Sequence, residues 1–168
     1  AEDHDHAGCP KTRKSTTCVI GRLGLHFLSE VVQTQAVVAL SSGESELYSG
    51  VRGVVELPFL GNLLDFYEHK VKKVLASDSS AARGAMVRLG AGKRMKHVET
   101  CNWFVQNLVA SGDIQVEKEH TDDNAADIGT KYLKLPKMDH LVKLLGGVWL
   151  GASAPVATAV KVESEKTA

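Results

Sequence analysis

The sequence is poor in cysteine, in aromatic residues and in long apolar runs, and each shortage excludes a class of protein. Three cysteines among 168 residues are too few for a disulfide framework, and their scarcity favours a reducing, intracellular compartment, either cytoplasm or nucleus. There is no Cys-x-x-Cys motif, which argues against a zinc finger. No apolar run is long enough to span a membrane, and the polar first residues are unlike a signal peptide. We therefore expect an intracellular protein that does not enter a membrane.

Charge is balanced in total but unevenly distributed. Twenty Lys and Arg residues offset twenty Asp and Glu residues, which excludes a uniformly basic nucleic-acid coat. Residues 79–98 nevertheless contain no acid and several basic side chains. These are Arg83, Arg88, Lys93, Arg94 and Lys96, followed by His97. A solvated surface is the ordinary interpretation of such a segment, but beside a phosphodiester site it would contact the nucleic-acid backbone.

One composition shift divides the chain. From residue 151 onward it reads GASAPVATAVKVESEKTA, which predicts a disordered tail at 151–168 after a domain at 1–150. Within the domain, β-branched runs after a first extended segment predict strands at 16–20, 26–40, 71–76 and 114–116. Helical spacing and capping residues predict helices from Ser41 onward and at 81–89, 97–110, 121–131 and 135–145.

Particular residues sharpen these predictions. Pro58 lies inside the first helix and should kink or divide it, and Trp103, Phe104 and Leu108 are expected on the apolar side of the helix at 97–110. The element order predicts an α/β fold in which helices pack on a mixed sheet.

Four acidic residues occupy positions where elements of such a fold meet. Asp3 lies on the first extended segment, Glu46 in the first turns of the long helix, Asp78 at a strand end and Asp127 beside Ala125 and Ala126. Ligands gather at the carboxyl ends of strands in open α/β sheets. Carboxylates that converge there would repel one another unless a cation lay between them, and Mg²⁺ prefers such oxygen ligands. Spacing alone is weak evidence, since most acids are solvated.

Five stretches of sequence resemble the ribonuclease H domain of copia-type retrotransposons, and they occur in that family's order over about residues 3–145. They are Asp3-His4-Asp5-His6-Ala7-Gly8-Cys9 with Thr12-Arg13-Lys14-Ser15-Thr16, Val38-Ala39-Leu40-Ser41-Ser42-Gly43-Glu44-Ser45-Glu46, Ser77-Asp78-Ser79-Ser80-Ala81-Ala82, Lys96-His97-Val98-Glu99, and Ala126-Asp127-Ile128-Gly129-Thr130-Lys131.

The resemblance implies a ribonuclease H-like fold, with a five-stranded mixed sheet, helices on both faces and a truncated first strand. It implies that Asp3, Glu46, Asp78 and Asp127 are catalytic and hold two Mg²⁺ ions, for which Mn²⁺ can substitute. The reaction it implies is endonucleolytic cleavage of the RNA strand of an RNA–DNA hybrid, in a polyprotein with a reverse transcriptase domain upstream.

Several residues and functions keep alternative interpretations. Asp5 competes with Asp3 as the first metal ligand, and Glu44 is better explained as a helix cap. His4 and His6 share one face of a strand and Asp5 the other, so we do not expect all three to hold one ion. His97 is better explained by a structural or substrate-facing role than by catalysis, and His120 is better explained as an ordinary loop histidine than as a proton shuttle.

The function also has alternatives. One is a decayed domain that only binds nucleic acid or serves as a scaffold. A weaker one is an integrase-like transferase of the same superfold.

Overall fold

The structure, a computed structural model, describes residues 1–88 and 99–150, with the backbone alone for 99–102. The predicted tail at 151–168 lies outside the described residues. So do four of the residues predicted to contact nucleic acid, namely Lys93, Arg94, Lys96 and His97.

The first three strands form an antiparallel sheet in chain order. Strand β1 (Glu2–Asp5) pairs with β2 (Thr16–Leu23), and β2 pairs with β3 (His26–Thr34). The β2–β3 hairpin turns at Gly24, which has a φ of 58°, a conformation that glycine adopts without steric cost. Strand β3 ends well before the predicted residue 40. Beyond it, the backbone N–H of Gln35 still donates to the carbonyl of Ser15 at 2.8 Å, while its buried side-chain amide donates to Thr17 Oγ1 and to the carbonyl of Ser45.

The long helix α1 (Ser42–Phe66) begins where the sequence predicts. The Ser41 hydroxyl accepts a hydrogen bond from the backbone N–H of Glu44 at 3.2 Å, which confirms the predicted cap. Of the two outcomes predicted for Pro58, division of the helix does not occur, because α1 is continuous through it, and the kink stays a prediction. Proline removes one hydrogen bond of the helical ladder, and buried residues on both sides of it, Val54 and Gly61, hold the segments in place.

The second half of the chain builds a parallel pair of strands and its helices. Strand β4 (Val74–Ser77) pairs in parallel with β5 (Gln115–Lys118). Helix α2 (Ser80–Val87) and helix α3 (Glu99–Ala110) lie between them in sequence. The core that these elements form with α1 contains Leu47, Val54, Leu75, Ala82, Ala85, Met86, Val105 and Ile114.

The predicted apolar face of α3 is partly wrong. Trp103 and Phe104 are 57% and 46% exposed, and the buried side of the helix is formed by Val105 and Gln106, with Leu108 partly buried. Gln106 is accommodated there because its amide donates to the carbonyl of Ala85 at 2.9 Å.

Two helices cover opposite faces of the first sheet. A Cβ atom on Gly53 of α1 would contact Val19 and Glu2, whereas one on Gly129, in the short helix α4 (Asp127–Thr130), would contact Cys18. Neighbouring residues of a strand point to opposite faces. Helix α1 and helix α4 therefore enclose β1 and β2 between them.

The fold is mixed α/β, as the element order predicts. Within residues 1–88 and 99–150, five strands form a three-stranded and a two-stranded sheet, so this part of the chain does not form the expected continuous five-stranded sheet. Strands β1 and β4 are in contact, and α1 packs against both sheets. Among the described residues, no helix is both long and apolar enough to cross a membrane.

The predicted helix at 121–131 is interrupted. A short 3-10 turn at Thr121–Asp123 is followed by buried Asn124, Ala125 and Ala126 before α4 begins. The interruption has a local cause, since the Asn124 side chain accepts the N–H of Ala126 and donates to β1. The last helix, α5 (Leu135–Leu144), matches its prediction. It ends before Gly146, which has a φ of 71°.

Candidate metal and active site

Strand β1 is polar yet buried. Glu2 is 0% exposed, Asp3 2% and His4 8%. The backbone of the strand is held from both faces, because Ser49 of α1 donates to the carbonyl of Asp3 at 2.7 Å and Asn124 donates to the carbonyl of Glu2 at 2.9 Å. Buried polar side chains in such a fixed strand are expensive unless something pairs with them, so their partners indicate what the site is for.

Asp3 and Asp127 are joined by one lysine. The Lys131 ammonium lies 3.2 Å from Oδ1 of Asp3 and 2.6 Å from Oδ1 of Asp127. The Thr130 hydroxyl also donates to Asp3. Thr130 and the C-cap residue Lys131 follow Asp127 by about one helical turn, so α4 and its end bring a carboxylate and two donors to Asp3 of β1.

The ionisation of this group follows from burial and neighbouring charge. Burial raises the pKa of Asp3, with the charge of Asp127 adding to it and the contacts with Thr130 and Lys131 opposing it. Burial works against the charged form of Lys131, but its hydrogen bond to Asp127 and the charge of Asp3 hold its pKa above the ordinary value. The lysine is therefore a fixed positive charge between two carboxylates.

Glu46 and Asp78 face a shared open cavity. It has a volume of about 310 Å³ and lies between the first turns of α1 and α2. Glu46 reaches it from α1, and Asp78 reaches it from the residue after β4. A larger cavity of about 570 Å³ lies between β2, α1 and β4, and none of the four predicted carboxylates lines it.

Asp3 and Glu46 connect these two halves of the site. One ligand atom each from Asp3, His4 and Glu46 lies within 4.8 Å of the others. The closest measured approach is 3.0 Å between Nδ1 of His4 and Oε1 of Glu46. The structure thus brings Asp127 next to Asp3, Asp3 next to Glu46, and Glu46 into the cavity of Asp78.

Glu2 adds a further buried carboxyl group beside Glu46. Burial, with the charge of Glu46 adding to it, raises the pKa of Glu2 to about 8. Neither of its oxygens has a hydrogen-bond partner within the described part of the chain, although the Ser77 and Ser49 hydroxyls lie close enough to oppose the pKa rise. At neutral pH this carboxyl group is largely protonated.

Three residues of the site were given no role from the sequence: Glu2, His4 and Lys131. His4 was considered only with its neighbours Asp5 and His6. The structure separates those neighbours, because the rings of His4 and His6 lie 6.4 Å apart and Asp5 accepts the backbone N–H of Thr16. The partner of His4 is instead Glu46, and no local spacing rule predicts that contact. The signal for Lys131 was available, since it follows Asp127 by one helical turn.

The other residues predicted to act on nucleic acid lie away from these contacts or are engaged locally. Arg83 donates from Nη1 to the carbonyl of Ser77 at 2.6 Å, and Arg88 is exposed at the end of α2. The His120 ring accepts the N–H of Asp122 at an exposed turn. Contact of Arg83 and Arg88 with a substrate stays a prediction, whereas His120 occupies the ordinary loop position that was expected of it.

Comparison with known proteins finds that the sequence is similar to the Pol polyproteins of transposons. The chain is similar to the retrovirus-related Pol polyprotein from transposon TNT 1-94 of Nicotiana tabacum, with 27% identity over 145 residues. It is also similar to the Pol polyproteins from transposons RE1 and RE2 of Arabidopsis thaliana, with 29% and 30% identity over 146 residues.

Each alignment covers 86% of this chain and 10–11% of the relative. The chain thus spans about a tenth of the length of the curated relatives it matches. No family model matches it, and no solved structure matches it significantly. The homology is to retrotransposon Pol polyproteins.

Proposed function

We propose that this domain is a metal-dependent endonuclease that cleaves the RNA strand of an RNA–DNA hybrid during reverse transcription of a retroelement. The observation that carries the proposal is a chain of pairwise links: Lys131 joins Asp127 to Asp3, ligand atoms of Asp3 and Glu46 lie within 4.8 Å, and Glu46 and Asp78 line one cavity. The similarity to Pol polyproteins supports the retroelement context. In this proposal a reverse transcriptase domain precedes the chain in an intracellular polyprotein.

The donor set fits divalent cations. Carboxylate oxygens are the ligands that Mg²⁺ and Mn²⁺ prefer, and Glu46 Oε2 is buried without a hydrogen-bond partner among the described residues. Asp3, Glu46, Asp78 and Asp127 would hold two such ions. When bound, a pair of ions supplies the acidity that activates an attacking water and the charge that stabilises the leaving oxygen.

The chain's own residues would position the substrate. The cavity shared by Glu46 and Asp78 is open, so a phosphodiester can approach both carboxylates. Arg83 and Arg88, with Lys93, Arg94, Lys96 and His97, would contact the phosphate backbone beside it. Such contacts orient a duplex without reading its sequence. Selectivity for a hybrid would come from groove shape and the 2′-hydroxyl groups of RNA.

Hybrid cleavage by the Asp78→Asn variant tests this function. The substitution removes the charge at the cavity while keeping the shape of the side chain, so we expect cleavage in Mg²⁺ or Mn²⁺ to fall at least about 100-fold. Asp65→Asn, on an exposed part of α1, is the matched control and should keep full activity. Undiminished cleavage by Asp78→Asn would refute the assignment.

One observation favours the second candidate, a non-catalytic nucleic-acid-binding scaffold. The Lys131 ammonium already contacts both Asp3 and Asp127 and offsets one of their two charges, so this pair has a cation of its own before any metal binds. A scaffold would bind the hybrid in a salt-sensitive manner and leave it intact with either metal. Retained binding without cleavage in the wild-type chain would establish this alternative.

A further inference from the structure

Histidine 4 lies at the centre of the acidic site but belongs to no part of the four-carboxylate proposal. We propose that His4 joins Glu46 and Asp3 in a mixed nitrogen and oxygen site that selects a divalent transition-metal ion, Mn²⁺, over Mg²⁺. The proposal concerns the metal preference of the site described above, and it rests on the proposed function only for the use of Asp3 and Glu46 as ligands.

The first support is the distance between the two nearest donor atoms. Nδ1 of His4 and Oε1 of Glu46 lie 3.0 Å apart. Two adjacent ligands of a six-coordinate ion with bonds of about 2.1 Å are about 3.0 Å from each other. Donor atoms of Asp3, His4 and Glu46 all lie within 4.8 Å of one another. Opposite ligands of such an ion are about 4.2 Å apart, so a small side-chain movement suffices to place all three around one ion.

The second support is the lack of other partners. His4 is 8% exposed, and apart from the 3.0 Å approach of Glu46 Oε1 to Nδ1, neither of its ring nitrogens has a hydrogen-bond partner among the residues that the structure describes. Oε2 of Glu46 is likewise buried without a hydrogen-bond partner among these residues. Buried polar atoms are nearly always paired. An ion that accepts electron pairs from an imidazole and from carboxylates would satisfy these atoms together.

The chemistry of the donors determines which ion is favoured. Mg²⁺ is a hard cation that binds oxygen and retains several waters. Imidazole nitrogen suits first-row transition metals, whereas Mn²⁺ also accepts carboxylate oxygen and tolerates six-coordinate sites. Replacing one oxygen donor by His4 therefore favours Mn²⁺ relative to Mg²⁺.

Metal titration of the whole chain without nucleic acid tests the proposal. Calorimetry with Mn²⁺ and with Mg²⁺ should give at least about tenfold tighter binding of Mn²⁺ by the wild type. His4→Gln keeps a polar side chain of similar reach, and it should weaken Mn²⁺ binding at least about tenfold while changing Mg²⁺ binding less than about threefold. His6→Ala is the control, because His6 is exposed in the turn after β1 with its ring 6.4 Å from that of His4, and it should change neither affinity.

A spectroscopic measurement separates ligation from a merely structural role. Pulsed electron paramagnetic resonance on the Mn²⁺ complex should detect coupling to one imidazole nitrogen in the wild type and in His6→Ala, and none in His4→Gln. His4→Ala, checked for folding by circular dichroism, provides a second variant that should also lose the nitrogen coupling.

Several outcomes would overturn the proposal. They are equal affinities for the two ions in the wild type, unchanged Mn²⁺ affinity in His4→Gln, or no nitrogen coupling in the wild type. Failure of the proposed function is a separate result. A chain that shows the nitrogen coupling but does not cleave a hybrid contradicts the nuclease and supports the metal site, whereas a chain that cleaves without the coupling contradicts the role of His4 alone.

Discussion

The side-chain amide of Asn124 donates a hydrogen bond of 2.9 Å to the backbone carbonyl of Glu2, and so joins residues separated by 122 positions. The oxygen of the same amide accepts the N–H of Ala126 at 3.2 Å. Asn124 is fully buried, so both bonds are shielded from water. Through them a single side chain fixes the turn that leads into α4 against β1, and with it the separation of Asp127 from Asp3.

Replacing Asn124 with alanine should destabilise the domain by about 1–3 kcal/mol, because the carbonyl of Glu2 would remain buried without its donor. Urea unfolding of the two proteins measures this change. Asn107→Ala, at an exposed position of α3, is the control and should change the free energy of unfolding by less than about 0.5 kcal/mol. Equal losses in the two variants would contradict the structural role of Asn124.

Gly129 has no room for a side chain. A Cβ atom there would lie 2.6 Å from Sγ of Cys18 and 2.9 Å from Cγ2 of Val32, and Cys18 is itself fully buried. We therefore expect Gly129→Ala to destabilise the domain by about 1–3 kcal/mol.

The matched control for Gly129→Ala is Gly84→Ala in α2. A Cβ atom at Gly84 meets nothing within 4 Å among the described residues, so this variant should be stabilised by up to about 1 kcal/mol through helix propensity. Thermal unfolding compares the two. Opposite signs support the close packing of α4 on β2, and a neutral Gly129→Ala would contradict it.

Local signals in the sequence predicted the ends of elements better than their buried faces. Ser41 and Glu44 stand at a fixed spacing and interact with each other, so they identify the start of α1 without knowledge of the rest of the fold. The burial of Val105 instead of Trp103 depends on which surface of α3 meets α2 and α1. The size of Trp103 and Phe104 therefore led to a wrong prediction of the buried face.

The same distinction holds for the site. Resemblance to a family supplied the four carboxylates, and the structure links them only in pairs, through Lys131, through the approach of Asp3 to Glu46 and through the cavity of Glu46 and Asp78. The resemblance did not point to His4, because the contact of His4 with Glu46 depends on the packing of α1 on β1. The break at Asn124 was also missed, since its cause is a hydrogen bond to a strand at the other end of the chain.

The buried carboxyl group of Glu2 should make stability depend on pH. Its pKa is raised to about 8 in the folded state from an ordinary value of 4.5. Below pH 4.5 the group is protonated in both states, so it adds no pH dependence there. Between these two values the unfolded chain loses the proton while the folded chain keeps it, so stability decreases as pH rises.

Glu2→Gln removes this dependence, since an amide does not titrate. The free energy of unfolding of the variant should exceed that of the wild type only slightly at pH 5, and by roughly 1–3 kcal/mol at pH 8. Urea unfolding at several pH values measures it. Glu117→Gln, at an exposed position of β5, is the control and should show no such trend. A difference in the free energy of unfolding between Glu2→Gln and the wild type that does not change with pH would contradict the raised pKa.

The two cysteines with described side chains should differ in reactivity. Burial, with the charge of Glu30 adding to it, raises the pKa of Cys18 to about 12, whereas a hydrogen bond from Thr12 lowers the pKa of the half-buried Cys9. The thiolate is the reactive form, and at pH 8 a thiol with a pKa of about 12 is ionised in about one molecule in ten thousand.

Labelling with iodoacetamide at pH 8, followed by peptide mass mapping, should therefore modify Cys9 first. Cys18 should remain unmodified until urea unfolds the chain, and the unfolded sample serves as the control for its intrinsic reactivity. Comparable labelling of both cysteines in the folded protein would show that Cys18 is not enclosed between β2 and α4.

Lys131 competes with any cation for Asp3 and Asp127, and removing it should reveal that competition. In Lys131→Gln the two carboxylates lose the ammonium that lies 3.2 Å and 2.6 Å from them, so we expect the metal-free domain to be destabilised by about 1–3 kcal/mol. The same loss leaves two neighbouring negative charges for a divalent ion to neutralise. The increase in melting temperature on adding Mn²⁺ should therefore exceed that of the wild type by roughly 2–5 °C.

Lys143→Gln is the matched control, because Lys143 also pairs with an aspartate four residues away, Asp139, but at the surface. It should leave the metal response unchanged, and a response to Mn²⁺ that is lost in Lys131→Gln would mean that the lysine positions Asp3 and Asp127 instead of competing for them.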